Sequence, residues 1–291
     1  MSEEDIFSRV AYEDELKMYG QLLEVATAVS QASGGINTET RYIRTTQIFT
    51  RMIVVAYTFF RLLPRNPITR DKEEHWDWPS VAALARNFIE AYLLFFYLGV
   101  DEVSKDEVDF RLEVMWFHLN TEKYRLYKSG PKKIDLTEFE NNLPIKKKRI
   151  EEHPFFQQLS KEQKKRVLSA KSPTYMTTAQ LMARLPFDSR ELSWMYRHYS
   201  NEVHSTAFAF NSQSNSRGRG DENPAERGYM ISASWLVRKY LAAAVMAMAK
   251  IFPKEIGFIE GKAVALAEAQ FRKFMEEEEK THNNRLDGDR Y

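Results

Sequence analysis

Apolar side chains return every three or four residues along most of this chain, and a glycine pair or a proline stands where they stop. Val10, Leu16, Tyr19, Leu22, Leu23 and Ala26 share one helical face, and Gly34-Gly35 follows, so the spacing predicts a helix over 5–32. The pattern resumes from Thr38 to Leu63 and ends at Pro64, with Arg41, Arg44, Arg51 and Arg61 breaking into it. A third helix should start near Pro79, a residue suited to a first turn, with Asp77 placed to cap it. It runs to about Leu98 and is apolar nearly all round, which predicts a central position. Ser104 and Glu107 have capping-box spacing ahead of a fourth helix reaching about Lys128. Asp188 and Glu191 repeat that spacing ahead of a helix running to about His204 or Phe208. Two more periodic stretches, 228–251 and 254–279, are divided at Pro253. Residues 211–227, rich in Asn, Ser and Gly, read as an exposed, flexible loop, and a polar tail begins at Thr281.

Composition agrees with the period. Only 11 Gly and 10 Pro occur in 291 residues, too little punctuation for a sandwich or barrel. The fold class that follows is all-α: a bundle of six or seven long helices. With no cysteine, a disulfide framework, thiol catalysis and thiolate metal sites are all excluded. The acidic start, Met-Ser-Glu-Glu-Asp, is unlike a signal or transit peptide. Phe88 to Val100 is too short to span a bilayer and contains Glu90, while Tyr229 to Phe252 carries Arg238 and Lys239 near its middle. The expectation is therefore a cytoplasmic protein with no membrane partner.

The net charge of +1 hides an uneven distribution. Residues 128–171 hold twelve Lys or Arg against six Asp or Glu, with short helices expected at 135–142 and 160–170. The organisation read from this is N-terminal bundle helices over 1–127, a basic insertion over 128–176, C-terminal bundle helices over 177–280, and a flexible tail over 281–291. Lys146, Lys147, Lys148 and Arg149 are candidates for contact with an RNA backbone; a solvated helical face would carry the same run.

The densest run of reactive side chains is Tyr196 to His204. On a helix, Arg197 and His204 lie on one face about 10 Å apart, with Ser200 between them. That stripe offers a guanidinium to grip phosphate, a hydroxyl, and an imidazole to move protons, the parts needed to cleave RNA without metal. Arg86 and Glu90 are the only charges between Ala82 and Gly99, four apart, so they form either a structural bridge or support for a polar site. His118 could join Glu90 and His204 in space. His198 and His204 lack the i, i+4 spacing of a zinc pair, and no repeated Glu-x-x-His appears, so neither metal nor cofactor is expected. No Gly-rich phosphate loop and no Gly-x-Ser-x-Gly elbow is present, which points away from nucleotide hydrolases and serine esterases.

Arg197, the polar His198 after it, and His204 resemble the Arg-x4–6-His signature of the HEPN superfamily. Those are small helical bundles, many of them metal-independent ribonucleases of bacterial toxin and antiphage systems that pair two motifs across a dimer. The resemblance implies Arg197 and His204 as a catalytic pair, His198 as the polar residue beside the Arg, RNA as substrate and a homodimer, while Ser200 joins them as a supporting residue by its place on the stripe. Ala85 to Tyr92, Trp116-Phe117-His118 and Tyr199 to His204 are in turn similar to a family of uncharacterised bacterial helical proteins, which carries no activity over. The plainer alternative is a non-catalytic helical protein that binds a partner or ligand. In it, His204 is a helix-end histidine hydrogen-bonded in the core or to a C-terminal carbonyl, and Arg197 a surface ion-pair partner.

Overall fold

Several of the long helices open at a residue whose side chain takes up a free amide hydrogen. In this computed structural model, which describes residues 7–69, 74–132, 134–204, 206–211, 220–257 and 261–288, the first helix, α1, spans Arg9–Ala32. Ser8 caps it, its hydroxyl accepting from the Ala11 amide at 3.2 Å. Helix α2 spans Thr40–Leu62, and α3 spans Trp78–Phe95 with Asp77 accepting from the Ser80 amide at 3.2 Å. The remaining helices are α4 (Lys105–Ser129), α5 (Thr137–Glu152), α6 (Pro154–Gln157), α7 (Lys161–Ser169), α8 (Thr178–Met182), α9 (Ser189–Val203), α10 (Ala207–Asn211), α11 (Pro224–Ile251), α12 (Pro253–Ile256) and α13 (Gly261–Gly288). Among the described residues there is no strand, so the all-α class holds. Ile6, Lys133, residues 212–219 of the polar loop and the last three residues of the tail lie outside the described residues.

Several local expectations need correction. Ser104 and Asp188 do cap their helices, accepting from the amides of Glu107 and Arg190. The two glutamates meant to complete the boxes point elsewhere, Glu107 to Arg111 and Tyr175 and Glu191 to Lys239. Complete boxes form instead at Ser160–Gln163 and Thr177–Gln180. The short helix expected at 135–142 continues through Pro144 to Glu152, because Ile150 beyond the proline is buried and holds the segment down. The tail expected from Thr281 is helical as far as Gly288.

The chain forms two compact units, Met1–Phe96 with Leu185–Tyr291, and Tyr97–Arg184. In the first, α1, α2, α3 and α11 form the core, with α9 and α13 packed against them. Tyr19 stacks between Phe59 and Phe60, at 5.6 and 5.2 Å, and Tyr92 meets Tyr240 at 4.7 Å. Arg238 and Lys239 are buried in α11, each with a partner. Arg238 makes a forked pair with Glu15 of α1, both bonds 2.8 Å. Lys239 lies 3.4 Å from Glu191 and 4.9 Å from the centre of the Trp235 ring.

The second unit begins well before the insertion expected at 128–176, since α4 supplies its core. Phe110 of α4 contacts the rings of His153, Phe155 and Tyr175. Arg111, 1% exposed, donates to the Tyr97 carbonyl and to Asp101 and Glu107. That carbonyl lies in a π-helical turn, Phe96–Val100, whose looser bonding leaves it open to a side chain. With the wider boundary, seventeen Lys and Arg stand against thirteen Asp and Glu, so the positive excess is four rather than six.

Read with its π-helical turn, the third helix is continuous from Trp78 to Val100, 23 residues, not the short apolar stretch from Phe88. By length and composition alone it could cross a membrane; 61% of its most apolar stretch is buried inside the protein, as for a core helix.

Candidate functional site

Helix α9 is two-faced. Leu192, Met195, Tyr199 and Glu202 are buried, while Arg190, Trp194, Arg197 and His204 are exposed and fall within about 80° of arc. The helix stops at His204, whose backbone amide closes the last turn on the Ser200 carbonyl at 3.3 Å. Its side chain therefore projects from the end of the helix, over the middle of α3.

There α3 presents the only two charges of its central stretch. Arg86 and Glu90, one helical turn apart, are joined at 3.1 Å through Nε. One terminal nitrogen of Arg86 lies 3.1 Å from His204 Nε2. The other lies 3.4 Å from the Tyr196 hydroxyl, which donates to Glu90 at 2.8 Å. The Arg86 guanidinium also stands 5.2 Å from the centre of the Tyr196 ring. Four residues from two helices thus close a ring of polar contacts: Arg86, Glu90, Tyr196 and His204.

Elementary chemistry assigns the protons. A guanidinium has no lone pair to offer, so Arg86 donates and His204 Nε2 accepts, which places the imidazole proton on Nδ1. Burial, reinforced by the Glu90 carboxylate, pushes the Tyr196 phenol above its ordinary range, so it remains a donor. The ring is open to water on one side: the Arg86 side chain is 20% exposed and that of Glu90 50%. Among the described residues, no three His, Asp or Glu gather closely enough to hold a metal ion.

The structure brings together three of the residues singled out from sequence, Arg86, Glu90 and His204, and adds Tyr196. Tyr196 falls at i−8 from His204, with Ser200 midway on the same helical stripe, and that spacing is the signal that could have found it. Arg197 is exposed on the same face as His204, and among the described residues its guanidinium makes no hydrogen bond or ion pair. Ser200 is not presented to this centre; its hydroxyl donates back to the Tyr196 carbonyl at 2.7 Å. His198 turns away from the stripe into a column of rings, stacked on Trp194 at 5.6 Å and on Trp78 at 5.5 Å.

His118 belongs to the second unit and has a local task. Its Nδ1 lies 3.0 Å from the Ala170 carbonyl, to which Arg125 also donates at 3.1 Å; together they satisfy the left-handed end of α7. In the basic run, Lys148 pairs with Glu152 at 3.6 Å and Arg149 with Glu113 at 2.7 Å. Lys146 and Lys147 form no ion pair among the described residues.

No curated protein and no solved structure matches the chain. A family description does match, over residues 42–222, a span that contains Arg86, Glu90, Tyr196 and His204 together. By that match, over more than half its length, the chain belongs to DUF5677, a family of unknown function.

Proposed function

We propose that the chain is a metal-independent endoribonuclease of the HEPN-like kind, with His204, Arg86 and Arg197 at its centre. The observation that carries this reading is the 3.1 Å contact between Arg86 and His204 Nε2 in a partly exposed polar ring. A phosphodiester entering there competes with the imidazole for the same Arg86 donor. Once the phosphate takes that N–H, His204 Nε2 is free to receive the proton of the ribose 2′-hydroxyl. The 2′-oxygen attacks phosphorus, the bond to the 5′-oxygen breaks, and the leaving oxygen takes a proton from the imidazolium. The products are a 2′,3′-cyclic phosphate and a 5′-hydroxyl, with no water consumed. Arg197, with its donors uncommitted, supports the negative charge from the same helix face. Glu90 and Tyr196 are positioning residues that hold the guanidinium of Arg86 in place.

The test uses purified protein, unstructured RNA and excess EDTA. Cleavage should persist in the chelator, and His204→Ala and Arg197→Ala should each slow it about a hundredfold or more. A His204→Ala protein that cuts as fast as the wild type removes the assignment.

A second reading has its own observation: Nε and both terminal nitrogens of Arg86 already have partners inside the protein. On that reading the ring is a clasp joining α3 to α9 in a non-catalytic binding protein. The wild type then cuts no RNA, and His204→Ala only lowers the melting temperature.

A further inference from the structure

Trp194 is 65% exposed, yet its ring is not loose. It lies flat on the His198 imidazole, with centroids 5.6 Å apart and planes 11° apart. His198 in turn stacks on Tyr229 at 5.7 Å and 21°, and on Trp78 at 5.5 Å and 28°. Trp78 is 1% exposed, so a column of rings runs from the core to the surface and ends in an indole. Among the described residues His198 is the one ring partner of Trp194, and the outer indole face meets no other ring.

A surface tryptophan that is held in one orientation has already lost most of the rotamer freedom that binding would otherwise remove. Its neighbours on the helix decide what would bind there. Three residues on stands Arg197, with its guanidinium uncommitted, and ten residues on, about 15 Å along the axis, stands His204. An aromatic face beside a free guanidinium fits an unpaired base and its phosphate, the combination used to bind single strands. A protein partner would call for a broad apolar patch, whereas Arg190, Arg197 and Asn201 flank this indole. Duplex bases are stacked on one another and cannot offer a face to it.

We propose that Trp194 is a stacking platform for a nucleobase, which makes single-stranded rather than duplex RNA the substrate class. The proposal rests on the ribonuclease reading of His204 and adds a residue that sets specificity.

The experiment compares the full-length wild type with Trp194→Ala and Trp194→Phe. The probe is a fluorescently labelled 2′-O-methyl oligonucleotide, which cannot undergo 2′-attack, offered single-stranded or annealed to its complement. Anisotropy should show tighter binding of the single strand. Trp194→Ala should weaken that binding about five- to a hundredfold, and Trp194→Phe should restore most of it. On ordinary RNA, Trp194→Ala should raise KM while kcat changes little, with an unaltered melting temperature. Equal binding by wild type and Trp194→Ala, or equal binding of single strand and duplex, overturns the platform. So does sedimentation in which Trp194→Ala splits a dimer without changing affinity for the oligonucleotide, since a second chain would then cover the indole. The two readings fail separately. A wild type that binds through Trp194 but cuts nothing keeps the platform and loses the ribonuclease, whereas undiminished cleavage by Trp194→Ala at unchanged KM does the reverse.

Discussion

Arg86, in contact with His204, and Arg197, on the same helix face as His204, stand in opposite circumstances, and that contrast makes them separable. Arg86 is held by Glu90, Tyr196 and His204, while Arg197 is exposed with its donors uncommitted. Removing Arg86 breaks three contacts, each worth about 1 kcal/mol net, and leaves Glu90 without its cation. Arg86→Ala should therefore lower the melting temperature by several degrees, and Arg197→Ala should leave it within experimental error. Thermal unfolding followed by circular dichroism distinguishes the two. An Arg197→Ala protein that melts early would mean the guanidinium braces the fold, and its loss of activity would then carry no catalytic meaning. Arg86→Lys sharpens the comparison: a lysine keeps the charge but cannot face three partners at once from a planar fork.

Among the helices, buried charge decides which pairs are tied together. Glu15 of α1 and Arg238 of α11 are each 5% exposed, and Ser234 and Gln270 take up remaining hydrogen-bonding capacity of the pair. Such a pair gives orientation more than net stability, because its attraction is set against the loss of water around both ions. Glu222 plays a comparable part nearer the surface, where Arg9, Arg65 and Arg227 converge on it. The hydrogen bond from Arg9 above all, with Arg227 and Arg65, holds its carboxyl below the usual glutamate range, against the upward pull of burial. A depressed folded-state pKa means this contribution is complete above the unfolded glutamate value and is lost as pH falls through the folded one. Glu222→Gln should thus melt several degrees below the wild type near pH 7, and the gap should close as pH falls through the depressed folded-state value of this carboxyl. A gap that stays constant down to acid pH would show that the three arginines do not act through this carboxylate's charge.

For the molecule as a whole, the ribonuclease reading requires positive charge where an RNA chain would lie. The second unit carries an excess of four positive charges, part of it already neutralised by Glu152 and Glu113 on Lys148 and Arg149. If the basic run contacts RNA, Lys146 and Lys147 should carry most of the effect. Their double replacement by Gln should weaken binding and flatten its salt dependence by about two counterions, while helicity is kept. Replacement of Lys148 and Arg149 should change less. Titrations at several salt concentrations decide between the pairs, and identical slopes for all variants would make the run a solvated face.

The helical class was legible in the chain because it rests on local quantities: the three-to-four-residue return of apolar side chains, the scarcity of Gly and Pro, and short polar residues at helix starts. Those terms act within one or two turns, so the extents of α1, α2, α4 and α9 follow from them. The motif face of α9 was legible for the same reason, with Arg197 and His204 placed on one side by helical geometry alone. What joins positions distant in sequence was not. Arg86 meets His204 across 118 residues, and only packing of α9 on α3 makes them neighbours. Glu191 is drawn from its cap to Lys239 of α11, and Glu107 to Arg111 one turn along its own helix, since buried Arg111 and Lys239 lose more by being left unpaired than a helix end loses by keeping one amide on water. Local periodicity specifies which faces exist; which of them meet is set by the burial of apolar surface and the pairing of charge, and those are properties of the assembled core.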